Sequence, residues 1–367
     1  MPAELTGITF ENKVVQQGDN NVLNYPYYFN GGGVAIGDID NDGLDDVLFT
    51  GNQVEPKLYL NKGDFHFEDI TAQAGLSVKE GWKTGVTMAD VNQDGFLDIY
   101  ICRSAMSDSL LRKNLLFINN GTRTFTEQAD AYGVADNSYS TQAAFFDYDR
   151  DGDPDLFVLN HSLPRFAGFN NMLVNNKRRK ASKFNSKLFR NDDGHFVDVS
   201  EDAGIINNVL SFGLGIAVSD VNDDGWPDVY ISNDFNEEDY LYVNNRNGTF
   251  TNTVRNATGH VSLFSMGSDI ADVNNDALPD ILTLDMLPAS NERIKLSAGD
   301  DNYDKYRILV NSGFHHQSMR NMLQLNNGNG TFSEVGQLMG ISNTDWSWAG
   351  LFSDFDGDGW KDLFVTN

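Results

Sequence analysis

Residues 38–46 read Asp-Ile-Asp-Asn-Asp-Gly-Leu-Asp-Asp, and this acidic stretch decides the fold. The same pattern, D-x-[DN]-x-D-[GA]-x-x-D, begins again at Asp90, Asp147, Asp220, Asp272 and Asp354. Oxygen-bearing side chains at alternate positions, with a sharp turn at the sixth, suit a hard cation that takes about six to eight oxygen ligands. The pattern therefore predicts six calcium loops. Magnesium fits less well, because it keeps most of its water ligands.

The beginning of the pattern matches an EF-hand loop, which also needs a bidentate Glu at its last position and a helix on each side. The corresponding position holds no acidic residue in any copy; it is occupied by Phe49, Ile101, Val158, Ile231, Thr283 and Val365. Short β-branched and aromatic runs follow each loop, and such runs are typical of buried strands. The loops are therefore expected to join two strands, and the EF-hand interpretation is disfavoured.

A hairpin signature follows the second strand of the first five repeats. Its copies are Leu58–Asn61 with Phe67, Leu115–Asn119 with Phe125, Leu188–Asn191 with Phe196, Leu241–Asn244 with Phe250, and Met322–Asn326 with Phe332. Turn residues between alternating apolar residues are a strong local signal for a β-hairpin. Two strands around the loop and two in the hairpin make one four-stranded blade, so the sequence predicts an all-β fold of the β-propeller class.

The spacing of the loops supports blades as the repeating unit. Successive loops begin 52, 57, 73, 52 and 82 residues apart, within or above the range expected for propeller blades. Six loops but only five complete hairpins are visible. We therefore expect one propeller domain over residues 1–367 that is a fragment truncated in its last blade or blades. A strand at residues 8–10 is expected to be available as the outermost strand of a closing blade.

Composition limits the possible partners and compartments. The formal charge is −27, which argues against a nucleic-acid partner. Loop positions one, three, five and nine hold 21 of the 53 acidic residues, so much of the acidity has a local explanation. The single cysteine, Cys102, lies in a predicted buried strand and allows no disulfide within the chain. No apolar stretch long enough to span a membrane and no export signal are visible.

The repeats resemble a known family. The six loops, the L-Y-x-N…G-x-F hairpins and Phe212-Gly213 before loop four resemble the FG-GAP/VCBS repeats of integrin α-subunit propellers. Two further stretches more closely resemble secreted or surface VCBS-repeat proteins of Bacteroidetes-type bacteria. They are Y-Y-F-N-G-G-G-V-A-I-G-D at residues 27–38 and D-W-S-W-A-G from Asp345. That group is related to cartilage acidic protein and often ends in an ASPIC/UnbV domain. The resemblance implies seven blades, further downstream domains and an extracellular or bacterial cell-surface location.

The resemblance also implies calcium ligands at loop positions one, three, five and nine, together with the backbone carbonyl of position seven. Carried over to the six loops, the ligands are Asp38, Asp40, Asp42, Leu44 and Asp46; Asp90, Asn92, Asp94, Phe96 and Asp98; Asp147, Asp149, Asp151, Asp153 and Asp155; Asp220, Asn222, Asp224, Trp226 and Asp228; Asp272, Asn274, Asp276, Leu278 and Asp280; and Asp354, Asp356, Asp358, Trp360 and Asp362.

The six loops are not expected to bind calcium equally well. Loops two, four and five have Asn at position three, which keeps an oxygen ligand but loses a charge. Loop five also has Ala277 where the other loops have Gly. That position is expected to need a positive φ angle, which costs a residue with a Cβ atom about 1 kcal/mol. Loop five should therefore be the weakest site.

Two long excursions, at about residues 161–186 and 285–320, are expected to join strands two and three of their blades. Strand parity would place both on the face opposite the calcium loops, where long loops on a rigid scaffold often bind partners. The first excursion is basic and lies in an acid-free run, which suits an anionic partner such as an acidic glycan. Its candidate ligand-face residues are Arg165, Lys177, Arg178, Arg179 and Lys180. A solvated loop that balances nearby acids is the alternative interpretation.

The second excursion carries His315 and His316, and residues 302–311 favour a short helix. The two histidines are further ligand-face candidates, although adjacent histidines without a paired acid also suit a structural role. The sequence thus indicates a calcium-stabilised, non-catalytic binding or adhesion module for a glycan or protein. One alternative is a polysaccharide lyase, or another glycan-active enzyme, on a calcium-containing propeller. The other is a purely structural segment of a larger surface protein. No catalytic constellation is visible among the motifs.

Overall fold

The computed structural model describes residues 2–18, 20–162, 179–180, 184–297 and 303–367. The chain forms two compact units, which are described separately. Unit 1 comprises Met1–Asn160 and Ser186–Ser200, and unit 2 comprises His161–Asn185 and Glu201–Asn367. Both are built mainly from antiparallel sheets whose strands follow one another in the sequence.

Unit 1 contains three four-stranded antiparallel sheets within its described residues. Their strands are β1 (Val34–Gly37), β2 (Asp46–Phe49), β3 (Lys57–Asn61) and β4 (Phe67–Asp69); β5 (Trp82–Ala89), β6 (Asp98–Ser104), β7 (Leu115–Asn119) and β8 (Phe125–Glu127); and β9 (Ser140–Phe146), β10 (Asp155–Asn160), β11 (Lys187–Asp192) and β12 (His195–Asp198). Strand β1 lies beside β5, and β5 lies beside β9. The first strands of successive sheets are therefore neighbours, as in propeller blades.

Glycine allows these first strands to approach one another closely. A Cβ atom added to Gly33 would lie 2.8 Å from the carbonyl oxygen of Thr84, and one added to Gly85 would lie 2.6 Å from that of Thr141. Neither distance is compatible with a side chain unless the backbone moves. Both glycines lie five residues before a calcium-type loop. The repeat therefore includes a glycine at the position where neighbouring sheets pack closely.

The cores of unit 1 lie between neighbouring sheets. One apolar cluster joins the first and second sheets and includes Leu48, Leu58 and Ile99. Another joins the second and third sheets and includes Leu156 and Cys102, which is fully buried as the sequence predicts. Because these strands are covered on both faces, their sequences read as continuous apolar runs rather than as alternating patterns.

Unit 2 repeats the same arrangement. Its sheets comprise β13 (Gly213–Ser219), β14 (Asp228–Asn233), β15 (Tyr240–Asn244) and β16 (Phe250–Asn252); β18 (Ser268–Ala271), β19 (Asp280–Thr283), β21 (Met322–Asn326) and β22 (Phe332–Glu334); and the pair β23 (Ala349–Ser353) and β24 (Asp362–Thr366). A short parallel pair is formed by β17 (Val261–Ser262) and β20 (Gln317–Ser318). The predicted fold class, all-β with four-stranded propeller blades, is confirmed.

The helices are short and lie in the connections. They are α1 (Ala3–Thr6), α2 (Ala129–Tyr132), α3 (Val254–Ala257), α4 (Asn291–Ser297) and α5 (Tyr303–Asn311), with a 3-10 turn at Ser109–Arg112. Helix α5 confirms the helix expected at 302–311, whereas α4 was not predicted. Both helices belong to the connection between β19 and β21. No helix among the described residues has the length and apolar character needed to cross a membrane.

The prediction of a strand at residues 8–10 is wrong. These residues form no strand and instead pack against the first sheet. The Thr9 backbone N–H donates to the Tyr59 hydroxyl at 3.1 Å, and the Phe10 ring stacks on Phe49 with centroids 5.1 Å apart. The apolar residues at 8–10 are therefore used for side-chain packing, and they supply no strand to close a blade.

Candidate metal centres and ligand face

Each acidic loop closes an antiparallel pair between the first and second strands of its sheet. The residue before loop position one always pairs with position nine; Gly37 opposite Asp46 and Ala89 opposite Asp98 are examples. The same register recurs in the other four loops. Strand pairing thus fixes both ends of every loop, and the intervening residues must turn sharply.

The carboxylate at position one caps that turn. In loop one, the Asp42 backbone N–H donates to Asp38 Oδ1 at 3.1 Å, and the Gly43 N–H donates to Asp38 Oδ2 at 2.8 Å. The carboxylate at position five then accepts from position seven, since the Leu44 N–H lies 3.0 Å from Asp42 Oδ1. Equivalent bonds recur in the other loops. The hydrogen bonds of the loop itself therefore hold its carboxylates in place, without a contribution from an ion.

Two loop positions have positive φ angles. Position six is glycine in five loops, and Ala277 in loop five adopts φ 68°. The positive φ expected at this position is thereby confirmed, including at the residue that carries a Cβ atom. Position four also has a positive φ, for example 59° at Asn41. No single residue type marks position four, so the sequence pattern does not indicate its positive φ.

The aspartate at position nine is a buried structural acceptor. In loop one, Asp46 Oδ2 accepts from the Ile39 N–H at 3.1 Å, and Oδ1 accepts from the Asn61 N–H at 2.7 Å. Burial raises the pKa of Asp46 to about 6 and that of Asp155 to about 8. Both oxygens thus also hold the loop against the third strand, a role that the sequence pattern did not reveal.

An asparagine at the end of the third strand connects neighbouring loops. The Asn119 amide donates to the Ile39 carbonyl of loop one at 2.8 Å and to the Leu97 carbonyl of its own loop at 3.1 Å. Asn326 does the same in unit 2, where it bonds Val221 and Pro279. The hairpin signature contains this asparagine, but its spacing indicates only a turn and not a link between repeats.

The donor sets fit a calcium ion. Three groups offer carboxylate oxygens that all lie within 4.8 Å of one another, namely Asp38 with Asp40 and Asp42, Asp147 with Asp149 and Asp155, and Asp354 with Asp356 and Asp362. Four buried oxygens in these loops have no hydrogen-bond partner: Asp40 Oδ1 and Oδ2, Asp149 Oδ1 and Asp153 Oδ1, of which Asp40 Oδ2 is within ion-pair distance of Arg123. Unpartnered buried carboxylate oxygens are costly, and a hard cation would compensate them.

The loops with asparagine at position three differ locally. In loop two, the Asn92 amide nitrogen donates to Asp94 Oδ2 at 3.0 Å, and Asn274 and Asp276 make the same contact in loop five. The amide must rotate before its oxygen can face an ion together with the position-five carboxylate. This rotation adds a second reason, besides the missing charge, for weaker binding at these loops.

Two arginines from hairpin turns lie at loop carboxylates. Arg123 Nε is 2.6 Å from Asp40 Oδ2, and Arg246 Nη2 is 2.8 Å from Asp224 Oδ2. Each arginine partly neutralises a position that would otherwise face a cation. Neither contact was predicted, because the arginines lie far from these aspartates in the sequence.

The predicted ligand face is only partly described. Arg165, Lys177 and Arg178 lie outside the described residues. Lys180 forms an exposed ion pair with Glu201 at 2.6 Å, and the backbone carbonyl of Arg179 accepts from Val209. Surface ion pairs contribute little stability, so Lys180 has no evident structural function. The binding role of this face stays a prediction.

His315 and His316 have different surroundings. His315 is half-buried, and its Nε2 lies 3.3 Å from the Thr258 hydroxyl and 3.2 Å from the Thr258 carbonyl. Burial lowers its pKa. His316 is exposed, and its Nδ1 lies 2.6 Å from the Tyr306 hydroxyl. The first histidine therefore helps to hold the connection in place, and only the second faces solvent.

Comparison with known proteins agrees with the repeat architecture. The FG-GAP-like repeat family matches residues 19–101, 105–158, 220–283 and 301–365, which is well over half of the chain. Cartilage acidic protein 1 of Xenopus tropicalis is 31% identical over 207 residues, covering 56% of this chain and 29% of that protein. Cartilage acidic protein 1 of Mus musculus is 23% identical over 380 residues, covering 91% of this chain and 57% of that protein.

An integrin subunit is also similar to this chain. Integrin alpha-8 of Gallus gallus is 31% identical over 146 residues, which is 34% of this chain and 14% of that protein. The chain therefore spans between about one seventh and just over half of the length of these three relatives.

Proposed function

Because the chain belongs to the FG-GAP-like repeat family, we propose that it is a calcium-stabilised extracellular module that binds or adheres to a glycan or another protein. The integrin and cartilage acidic protein relatives support the extracellular binding or adhesion role. The observation that carries the calcium part is the partnerless buried oxygens of Asp40 and Asp149 within clusters of carboxylates. Calcium would supply charge compensation there, and the chain's own hydrogen bonds hold the loops ready for it.

Calcium binding can be counted directly. Equilibrium dialysis followed by elemental analysis should give up to six calcium ions per chain, with loop five filling last. Loops one, three and six, which have Asp at position three, should fill first. Occupancy of less than one ion per chain at extracellular calcium concentrations of about 1 mM would contradict the proposal.

The binding role can be tested with a panel of ligands. The chain, in calcium, should be retained by immobilised acidic or neutral polysaccharides, or should capture a protein from extracellular extracts. Neutralising the exposed Arg179 and Lys180 tests the basic excursion. If that excursion provides the binding surface, the double substitution should reduce retention of acidic polymers and leave the carboxylate loops intact. The absence of any retained polymer or protein would contradict a binding module.

A polysaccharide lyase is the second candidate function. The observation that favours it is the pairing of the partly buried Tyr306 with the exposed His316, whose hydroxyl and Nδ1 atoms lie 2.6 Å apart. A lyase needs one group that removes the proton next to a uronate carboxyl and another that protonates the leaving oxygen. Unsaturated chain ends, detected by ultraviolet absorbance and lost in Tyr306→Phe, would establish this function and overturn the non-catalytic one.

A further inference from the structure

Hydrogen bonds near its end hold the connection between β19 and β21 in place, and we call this group of contacts the anchor. Arg255 Nε donates to Glu238 Oε1 at 2.8 Å, and Arg255 Nη2 donates to the Gly313 carbonyl at 2.5 Å. His315 contacts Thr258 in the same region. This anchor holds the segment beside α5, so the side chains that follow it have defined neighbours.

Helix α5 is amphipathic in its packing. Leu309 is buried and forms a small apolar cluster with Phe314, Val209 and Leu210. Tyr303, on the other hand, is 69% exposed. Leu309 therefore attaches the helix to unit 2, while aromatic side chains near its start remain accessible.

Three side chains form an aromatic ladder, which we define as the exposed Tyr303 and His316 together with the partly buried Tyr306. The rings of Tyr303 and Tyr306 have centroids 6.2 Å apart and planes inclined by 23°. The rings of Tyr306 and His316 follow at 5.9 Å and 30°. Three rings in succession, with hydroxyl and imidazole groups at their edges, offer apolar faces and hydrogen-bonding edges together.

An arginine without an acidic partner adjoins the ladder. The Arg307 guanidinium carbon lies 5.8 Å from the centre of the Tyr303 ring, and Arg307 is exposed. Within the described part of the chain, no carboxylate lies within 4.0 Å of its guanidinium nitrogens. Such a cation is available to an external carboxylate.

We propose that the aromatic ladder and Arg307 bind a uronic acid unit of an acidic polysaccharide. A pyranose ring presents a face of C–H groups to aromatic rings, its hydroxyls reach the Tyr306 and His316 edges, and its carboxylate pairs with Arg307. This inference rests on the proposed binding function and names the ligand class and residues of one site.

Calorimetric titration of the whole chain with galacturonate oligosaccharides, in calcium, tests the site. Tyr303→Ala should weaken binding about tenfold, whereas Tyr303→Phe should leave it nearly unchanged because the ring is retained. Arg307→Gln should remove the preference for galacturonate over neutral dextran oligosaccharides. Leu296→Ala, which changes an equally exposed side chain on α4, is the matched control and should bind normally. All variants should unfold at the same temperature as the parent chain.

The outcomes separate this inference from the function on which it rests. Galacturonate binding that persists in Tyr303→Ala and in a Tyr303→Ala/Arg307→Gln double variant would overturn the ladder and leave the glycan-binding function in place. A failure to bind any polysaccharide, together with capture of a protein, would overturn the ladder and make the module a protein binder. The result expected is weaker galacturonate binding in Tyr303→Ala and loss of binding in the double variant, with the parent and the Leu296→Ala control binding normally.

Discussion

Each position-nine aspartate joins its loop to two backbone segments. Asp98 is fully buried, and its carboxylate oxygens accept from the Val91 N–H at 3.0 Å and the Asn119 N–H at 2.8 Å. Asparagine would keep one acceptor and place an amide N–H against the second donor. Asp98→Asn should therefore lower the free energy of unfolding by about 2–3 kcal/mol. Urea unfolding in EDTA measures this effect without a contribution from calcium.

Loop six supplies the matched control. Asp362 is exposed and accepts one bond of this type, from the Phe355 N–H at 3.0 Å. Asp362→Asn should cost less than 1 kcal/mol under the same conditions, since water can replace the lost acceptor. Equal losses in the two variants would show that burial of the position-nine carboxylate is not what makes it important.

A buried aspartate away from the loops should make stability depend on pH. Asp239 accepts from the Asn233 N–H and the Tyr230 hydroxyl, and burial raises its pKa to about 7. The unfolded chain ionises this group near pH 4, so the folded state binds the extra proton between about pH 4 and 7. Its contribution to stability is present at low pH and is lost as the pH rises to about 7.

Asp239→Asn removes this titration while keeping the side-chain shape. The difference in unfolding free energy between the parent chain and the variant should fall as pH rises from about 4 to 7, by on the order of 1 kcal/mol per pH unit. Urea unfolding at a series of pH values in EDTA measures the difference, and the loop carboxylates cancel because both proteins share them. A difference that does not change with pH would contradict the raised pKa.

At the scale of the element, the hairpin asparagine couples one sheet to the next. Asn119 is buried, and its amide nitrogen donates to two carbonyls in two different loops, whereas the Asn61 amide nitrogen donates to the Asp45 carbonyl of its own loop. In both residues the side-chain oxygen also accepts from the N–H two residues further on. Asn119→Ala should cost about 2 kcal/mol or more because two buried acceptors lose their donor, and Asn61→Ala should cost about 1 kcal/mol. Chemical denaturation compares them. If Asn61→Ala is the more damaging, the link between loops is not the asparagine's main contribution.

The elements that repeat were predictable, whereas among those that do not repeat helix α5 was predicted and others were not. Loop, strand and hairpin recur with the same residue types, so each copy supports the assignment of the others. Residues 8–10 have no second copy, and an apolar run looks the same whether it pairs as a strand or packs as Phe10 does on Phe49. Helix α4 likewise lies in an excursion that occurs only once.

The residues of the candidate sites also differ in whether the sequence could predict them. The loop carboxylates could be identified from spacing, because strand register places them together. The contact of Arg123 with Asp40 joins residues that are distant in sequence, and that of His316 with Tyr306 crosses the turn after α5. Such contacts depend on where the hairpins and excursions lie in the folded chain, and no regular spacing in a single sequence indicates those positions.

At the scale of the whole molecule, the loops concentrate negative charge that the fold itself does not neutralise. Three loops lie in unit 1 and three in unit 2. The two arginines at loops one and four offset only part of this charge. Burial raises the pKa of position-nine carboxylates in both units, including Asp98 and Asp228, to about 6. Without a cation, these ionised position-nine carboxylates therefore oppose folding at neutral pH.

Removing calcium should accordingly destabilise both units. If each loop binds with a dissociation constant near 0.1 mM, calcium at about 1 mM contributes about 1.4 kcal/mol per site, or on the order of 8 kcal/mol for six sites. That sum is comparable to the whole stability of a domain. Thermal unfolding in calcium should therefore occur at a markedly higher temperature than in EDTA, and magnesium should substitute poorly.

Loop variants connect this shift to particular sites. Asp40→Ala removes a carboxylate with a partnerless oxygen together with its ion pair to the half-exposed Arg123. Because such an ion pair contributes little stability, the variant should reduce the calcium-dependent shift while leaving the EDTA melting temperature nearly unchanged. Ala277→Gly should act in the opposite direction at loop five, because glycine adopts the positive φ there at lower cost. A parent chain that melts at the same temperature in calcium and in EDTA would exclude a stabilising role for the loops, and the carboxylates would then need an explanation that involves an external ligand.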